Sequence, residues 1–148
     1  MFVTNHVLSG VAIGRALQRK PVTAFFVGMG SHLVLDAVPH WGCEGHGPDR
    51  EERFLLAARR DGLLGLATMA AATLLVGKPA RTATVAAMAG AVLLDLDKPV
   101  EHFLGWKPFP AAVRRLHGRV QNESPDGLAK EIAYGVALAT VDAACIRR

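Results

Sequence analysis

"PVTAFFVGMGSHLVLDAVPHWG", residues 21 to 42, is apolar for most of its length and then turns polar at regular intervals. Pro21 opens the segment and Pro39 closes it, where proline suits the two ends of a helix. His32 and Asp36 lie four residues apart, so on a helix they share one face, one turn apart. His40 follows just past Pro39. A helix that is apolar on every side belongs either in a deep core or in lipid. The fold class turns on which of the two holds, and the polar groups at the end of this helix must meet partners either way.

Composition leans toward lipid. Of 148 residues, 51% are hydrophobic and 20% charged, and the mean hydropathy is +0.24. Fifteen glycines among abundant Ala, Val and Leu allow helices to approach closely. Aromatic residues make up 6%, which argues against a base-stacking platform. The net charge is +4, but Lys and Arg are scattered between apolar runs and form no stripe, so no nucleic-acid partner is expected. Two cysteines, Cys43 and Cys145, are too few for a disulfide framework and fall at opposite ends of the expected bundle. The first basic residues follow the first apolar run, unlike a cleavable leader.

Hydrophobic patterning gives five helical segments in one domain, residues 1–148. They cover about 3–18, 21–38, 62–77, 82–94 and 127–146. Gly10 and Gly14 form a small-xxx-small face on the first. Residues 51–60 read as an amphipathic lead-in to the third, and 40–50 as a Gly-rich loop that includes His46. Residues 99–126, with four prolines, read as irregular apart from one short helix near 110–121. The uncharged runs, roughly 13 to 16 residues, reach the about 20 needed for a span only if terminal His and Asp groups enter too. A chain of this length cannot bury five such helices fully. The expectation is therefore an all-α integral membrane bundle of four to five helices, multi-pass in a bacterial inner membrane. Trp41, Trp106 and Phe109 would serve as interfacial anchors.

An alternating up-and-down course brings the His and Asp residues to one end of the bundle. His6 lies near the start of the first helix, and His32 and Asp36, with His40, at the end of the second. Asp61 begins the third, Asp95 and Asp97 end the fourth, and His117 and Gln121 precede the fifth. Metal-binding bundles converge ligands with similar helical spacings. Expected metal ligands are His6, His32, Asp36, His40 and Asp95. Asp61, Asp97, His117 and Gln121 are the expected acid, base or positioning groups. A mixed imidazole and carboxylate set suits Zn or Mn better than Mg. Each group also has a plainer use. His32 can be a hydrogen-bonded core histidine, Asp36 a polar helix end, and Asp61 a cap or surface ion pair. "LLDLDKP" can be a charged terminus, and His117 with Gln121 an i,i+4 pair beside headgroup-facing arginines. Convergence at one depth is what favours a shared site.

At "SHLVLDAVPHWG" and "AGAVLLDLDKP" the chain resembles the small membrane-bound metal-dependent hydrolases, a group that includes LexA-regulated inner-membrane hydrolases. The matching residues are His6, Ser31, His32, Asp36, Asp95 and Asp97. The chain departs from that pattern at Leu94, where the family has proline, and in the order of the two motifs. The paired His segment usually found between them is absent. The pattern "SHLxLDxxPHW" with a late "HxxxQ", here His117 and Gln121, is similar to that of short bacterial membrane proteins. The resemblance implies a metal-dependent hydrolase. A polar pocket at a membrane face adds the expectation of a lipid-linked or phosphoester substrate, and a homo-oligomer is an expected partner state. Two alternatives stay open. "LLDLD" can chelate Mg with a prenyl diphosphate, helped by Arg114, Arg115 and Arg119. The cluster can also be structural, in a non-enzymatic assembly subunit.

Overall fold

The computed structural model describes residues 1–42 and 50–146; Cys43 and His46 lie outside the described residues. Seven α-helices account for most of them: α1 (Val3–Ala16), α2 (Pro21–Ala37), α3 (Arg50–Leu75), α4 (Lys78–Val92), α5 (Asp97–Leu104), α6 (Ala111–Val120) and α7 (Leu128–Ile146). A 3-10 turn, Leu93–Leu96, joins α4 to α5, and a second, Pro125–Gly127, leads into α7. Two short strands, β1 (His40–Trp41) and β2 (Glu123–Ser124), pair in parallel, His40 opposite Glu123.

The centre of the fold is α4, which packs along both α1 and α2. Small residues make this approach possible. A Cβ added at Gly10 would come within 2.7 Å of Met88 Cα, and one at Gly14 would collide with the Thr84 backbone. Gly90 of α4 likewise lies against the Phe25 carbonyl of α2. The small-xxx-small face read from Gly10 and Gly14 is thus the seam between α1 and α4. The core between the helices is built from Val7, Val11, Ala72, Val76, Ala80 and Met88, with Ala24, Ala83 and Ala87 on the α2 side. On the other flank of α1, α7 carries a buried carboxylate, Asp142. Neither of its oxygens has a hydrogen-bond partner among the described residues. Burial raises its pKa to about 6, against the opposing charge of Arg15.

Three expectations change here. First, no helix among the described residues is long and apolar enough to cross a membrane. This finding overturns the integral membrane bundle, its transmembrane helices and the multi-pass inner-membrane placement. The lengths explain the outcome. α1, α2 and α4 have 14, 17 and 15 residues, fewer than the about 20 a span needs. α3 has 26 residues, but its first half holds Arg53, Arg59, Arg60 and Asp61; α7 has 19 and contains Lys130, Glu131 and Asp142. The apolar outer faces that suggested lipid are real, with Phe26, Leu63, Leu66, Leu74 and Val136 all exposed.

Second, the lead-in segment and the third apolar run form one continuous helix, α3. A single helical Gly such as Gly62 costs only about 1 kcal/mol and does not break it. Third, the proline-rich stretch holds two helices, α5 and α6. Pro99 sits in the first turn of α5, where no N–H is lost from the helix ladder. Gly105, at φ 71°, ends α5 in a left-handed cap, and Pro110 stands at the start of α6.

Candidate metal centre

The site gathers side chains from α1, α2, the 3-10 turn and α6. His32 and Asp36 come from the last two turns of α2, on one face. The turn Leu93–Leu96 brings in Asp95 at the end of α4. Asn122, just past α6, donates its backbone N–H to the Asp36 carbonyl at 2.9 Å. That bond ties the end of α6 to the end of α2 and holds His117 and Gln121 over the cluster.

Three imidazoles meet two carboxylates there. Asp36 Oδ2 lies 3.1 Å from His32 Nε2 and 3.1 Å from His117 Nε2. Asp36 Oδ1 lies 3.2 Å from His6 Nε2 and 2.9 Å from the Met1 ammonium. The His32 and His117 Nε2 atoms are 3.0 Å apart, and the His6 and His32 rings stack at 4.0 Å. Asp95 stands slightly farther off, 3.8 Å from both His6 and His117 Nε2. His6, His32 and Asp36 are fully buried, and His117 and Asp95 nearly so. Lys98 reaches Asp95 Oδ1 at 3.6 Å from an exposed position, marking the side nearest solvent.

The ring orientation of His32 follows from its hydrogen bonds. Its Nδ1 lies 2.7 Å from the Ala91 carbonyl, which can only accept, so Nδ1 carries the proton. Nε2 then faces the cluster, the arrangement that fixes metal-ligating histidines elsewhere. Burial drives His6 below the ordinary histidine range, against its hydrogen bond to Asp36, and His32 adds to the lowering. For His32, burial also pulls downward, but the hydrogen bond to Asp36 and the charges of Asp95 and Asp36 lift it above that range. Burial alone would raise Asp36. Hydrogen bonds from His117, His32 and His6, with the Met1 charge, hold it far below the usual carboxylate range. Asp95, which burial would also raise, is lowered by Lys98, His6 and His32. Both carboxylates are ionised.

The buried groups could hold a metal ion. His6, His32 and Asp36 place ligand atoms within 4.8 Å of one another, and so do His32, Asp95 and His117. The site therefore brings together four of the five residues read as ligands, and His117, read as an acid or base, stands among them. His40 belongs to neither set. It is buried in β1, its Nδ1–H donates to the Val38 carbonyl at 2.8 Å, and its Nε2 has no partner among the described residues. Gln121 donates to Asp36 Oδ2 at 3.4 Å, and its amide nitrogen lies 2.9 Å from His117 Nε2. Asp97 starts α5, with Oδ1 buried and unpartnered among the described residues. Asp61 stands apart. Its carboxylate accepts from the Val3 N–H (2.6 Å), the Thr4 N–H (3.2 Å) and the Thr4 hydroxyl (2.6 Å), and so caps α1.

One hub was not singled out from sequence. Glu131 of α7 is buried and accepts from the Phe2 and Trp41 N–H groups, at 2.7 and 3.0 Å, and from the Asn5 amide at 2.9 Å. It locks the start of α1 against β1, upstream of His6. A buried acid on a helix otherwise apolar over most of its length was the available signal. No family model, no curated protein and no solved structure matches the chain.

Proposed function

We propose that this protein is a divalent-metal-dependent hydrolase of phosphoester substrates, lipid-linked ones among them. The observation that carries the reading is the convergence of three imidazole nitrogens on two ionised, buried carboxylates, with Asp36 Oδ2 3.1 Å from two rings. Imidazole-rich sets with carboxylate favour Zn or Mn, and disfavour Mg. That chemistry weakens the prenyl diphosphate alternative, since Asp95 stands beside imidazoles rather than beside a second ligating carboxylate of its own motif. A divalent ion held there supplies Lewis acidity toward a phosphoryl oxygen and acidifies water.

The chain's own residues have separate tasks. His6, His32, Asp36, Asp95 and His117 are the residues that would hold metal. Ala91 sets the His32 tautomer through its carbonyl. Gln121 orients His117 and Asp36. Asp97, with its unpartnered oxygen, is the nearest remaining carboxylate in sequence for proton transfer. Substrate class is argued from the same elements. α5 and α6 expose Phe103, Leu104 and Leu116, with Trp106 between them in sequence, and the same two helices carry Lys98, Arg114, Arg115 and Arg119. A ligand with an anionic head and an apolar tail matches both features.

The test is hydrolysis of a phosphodiester, a phospholipid in detergent and a prenyl diphosphate, by stripped and Zn- or Mn-loaded protein. Metal-dependent turnover of an ester, lost in His32→Ala, supports the reading. Turnover unchanged in His32→Ala sinks it. A folded wild type that turns over nothing, with His32→Ala merely less stable, favours a structural cluster.

A further inference from the structure

The way the two carboxylates share the three imidazoles bears on how many ions the centre takes. Asp36 turns Oδ1 toward His6 (3.2 Å) and Oδ2 toward His32 and His117 (3.1 Å each). Asp95 repeats the division, with Oδ2 toward His6 and Oδ1 toward His117, each at 3.8 Å. Each carboxylate therefore presents one oxygen to a His6 side and the other to a His117 side. The ligand atoms fall accordingly into two sets of three, His6–His32–Asp36 and His32–Asp95–His117.

A single ion near Asp36 Oδ2 would use His32 and His117 and leave the His6 side unserved. That side holds buried polar atoms without partners. His6 Nδ1 and Asp95 Oδ2 lack a hydrogen bond among the described residues, His6 Nε2 faces the Asp36 and Asp95 carboxylates at 3.2 and 3.8 Å, and His6 is fully buried. Buried polar atoms are ordinarily satisfied, so such a group in one place calls for an explanation. Asp36 Oδ1, on the same side, also attracts the Met1 ammonium at 2.9 Å.

We infer that the centre binds two divalent ions, with Asp36 and Asp95 as bridging carboxylates. His6 would be the terminal ligand of one ion and His117 of the other, with His32 joining the His117 ion through the Nε2 that lies 3.0 Å from His117 Nε2. This rests on the metal-dependent reading above and deepens it. Two ions bridged by carboxylates stand about 3.5–4 Å apart, which suits clamping the attacking and leaving oxygens of a phosphoester.

The test uses the full chain, stripped by chelation and titrated with Mn(II). Bound metal is measured by equilibrium dialysis and spin coupling by electron paramagnetic resonance. The expected result is two Mn per chain with a spin-coupled signal. In His6→Gln, expected to keep the fold by circular dichroism, the count falls to one and the coupling disappears. One Mn per wild-type chain at saturation, or two uncoupled Mn, overturns the two-ion inference while leaving a single-metal enzyme standing. No binding of Mn or Zn overturns both. The wild-type count decides the matter even if His6→Gln does not fold.

Discussion

His32 belongs to both sets of three ligands, so His32→Ala is the most damaging single change to the centre. It should lower the metal bound per chain at micromolar ion, measured on purified protein by mass spectrometry. Asp61 makes the contrast. In the sequence it reads equally well as an acid or base and as a cap, and its three hydrogen bonds to the start of α1 assign it a capping contact. Asp61→Ala should cost about 1–2 kcal/mol of stability and leave the bound metal per chain unchanged. A fall in metal content would reverse that assignment. Asp142 carries the pH dependence. Its pKa is raised in the fold to about 6, so its contribution is full when it is protonated and is lost as pH rises through about 6. Between pH 4 and pH 7 the wild type should lose stability relative to Asp142→Asn, on the order of 2 kcal/mol. Urea denaturation at the two pH values checks this, and a constant difference would refute it.

At the scale of the element, helices were legible where apolar periodicity was long and proline marked the ends. α2 is the clearest case, read at 21–38 and found at Pro21–Ala37. Boundaries failed where local signals were ambiguous. The lead-in read at 51–60 and the run read at 62–77 are one helix, α3, and Pro99, read as the start of an irregular stretch, sits in the first turn of α5. The seam between α1 and α4 is the element on which the site depends most, because it sets how close His6 comes to Asp95. Gly14→Ala would press a methyl group into the Thr84 backbone. It should destabilise the fold by about 1–3 kcal/mol, seen as a lower melting temperature. A variant as stable as wild type would show that the helices can separate without cost.

For the whole molecule, two buried ionised carboxylates stand among imidazoles with the Met1 ammonium on one and the half-exposed Lys98 on the other, and a divalent ion adds favourable charge between them. Zn or Mn should therefore stabilise the fold. At a free concentration a hundred times the dissociation constant, the gain is about 2.7 kcal/mol. It should appear as a raised melting temperature that chelator reverses and that His32→Ala diminishes. Equal melting temperatures with and without ion would count against the metal reading.

The amino-acid sequence alone determined that the chain is helical, and that His6, His32, Asp36 and Asp95 lie at helix ends which an alternating course brings together. Those properties follow from periodicity and from the count of turns, which are local. The sequence could not decide whether its apolar faces meet lipid, because hydropathy does not reveal where a helix stops. Tertiary structure set helices of which none, among the described residues, is both long and apolar enough to cross a membrane. It also folded α6 back so that His117 enters the cluster, and it committed Asp61 to the start of α1. Those outcomes depend on contacts between residues distant in the chain, such as Asn122 with Asp36 and Thr4 with Asp61, and no local pattern encodes them.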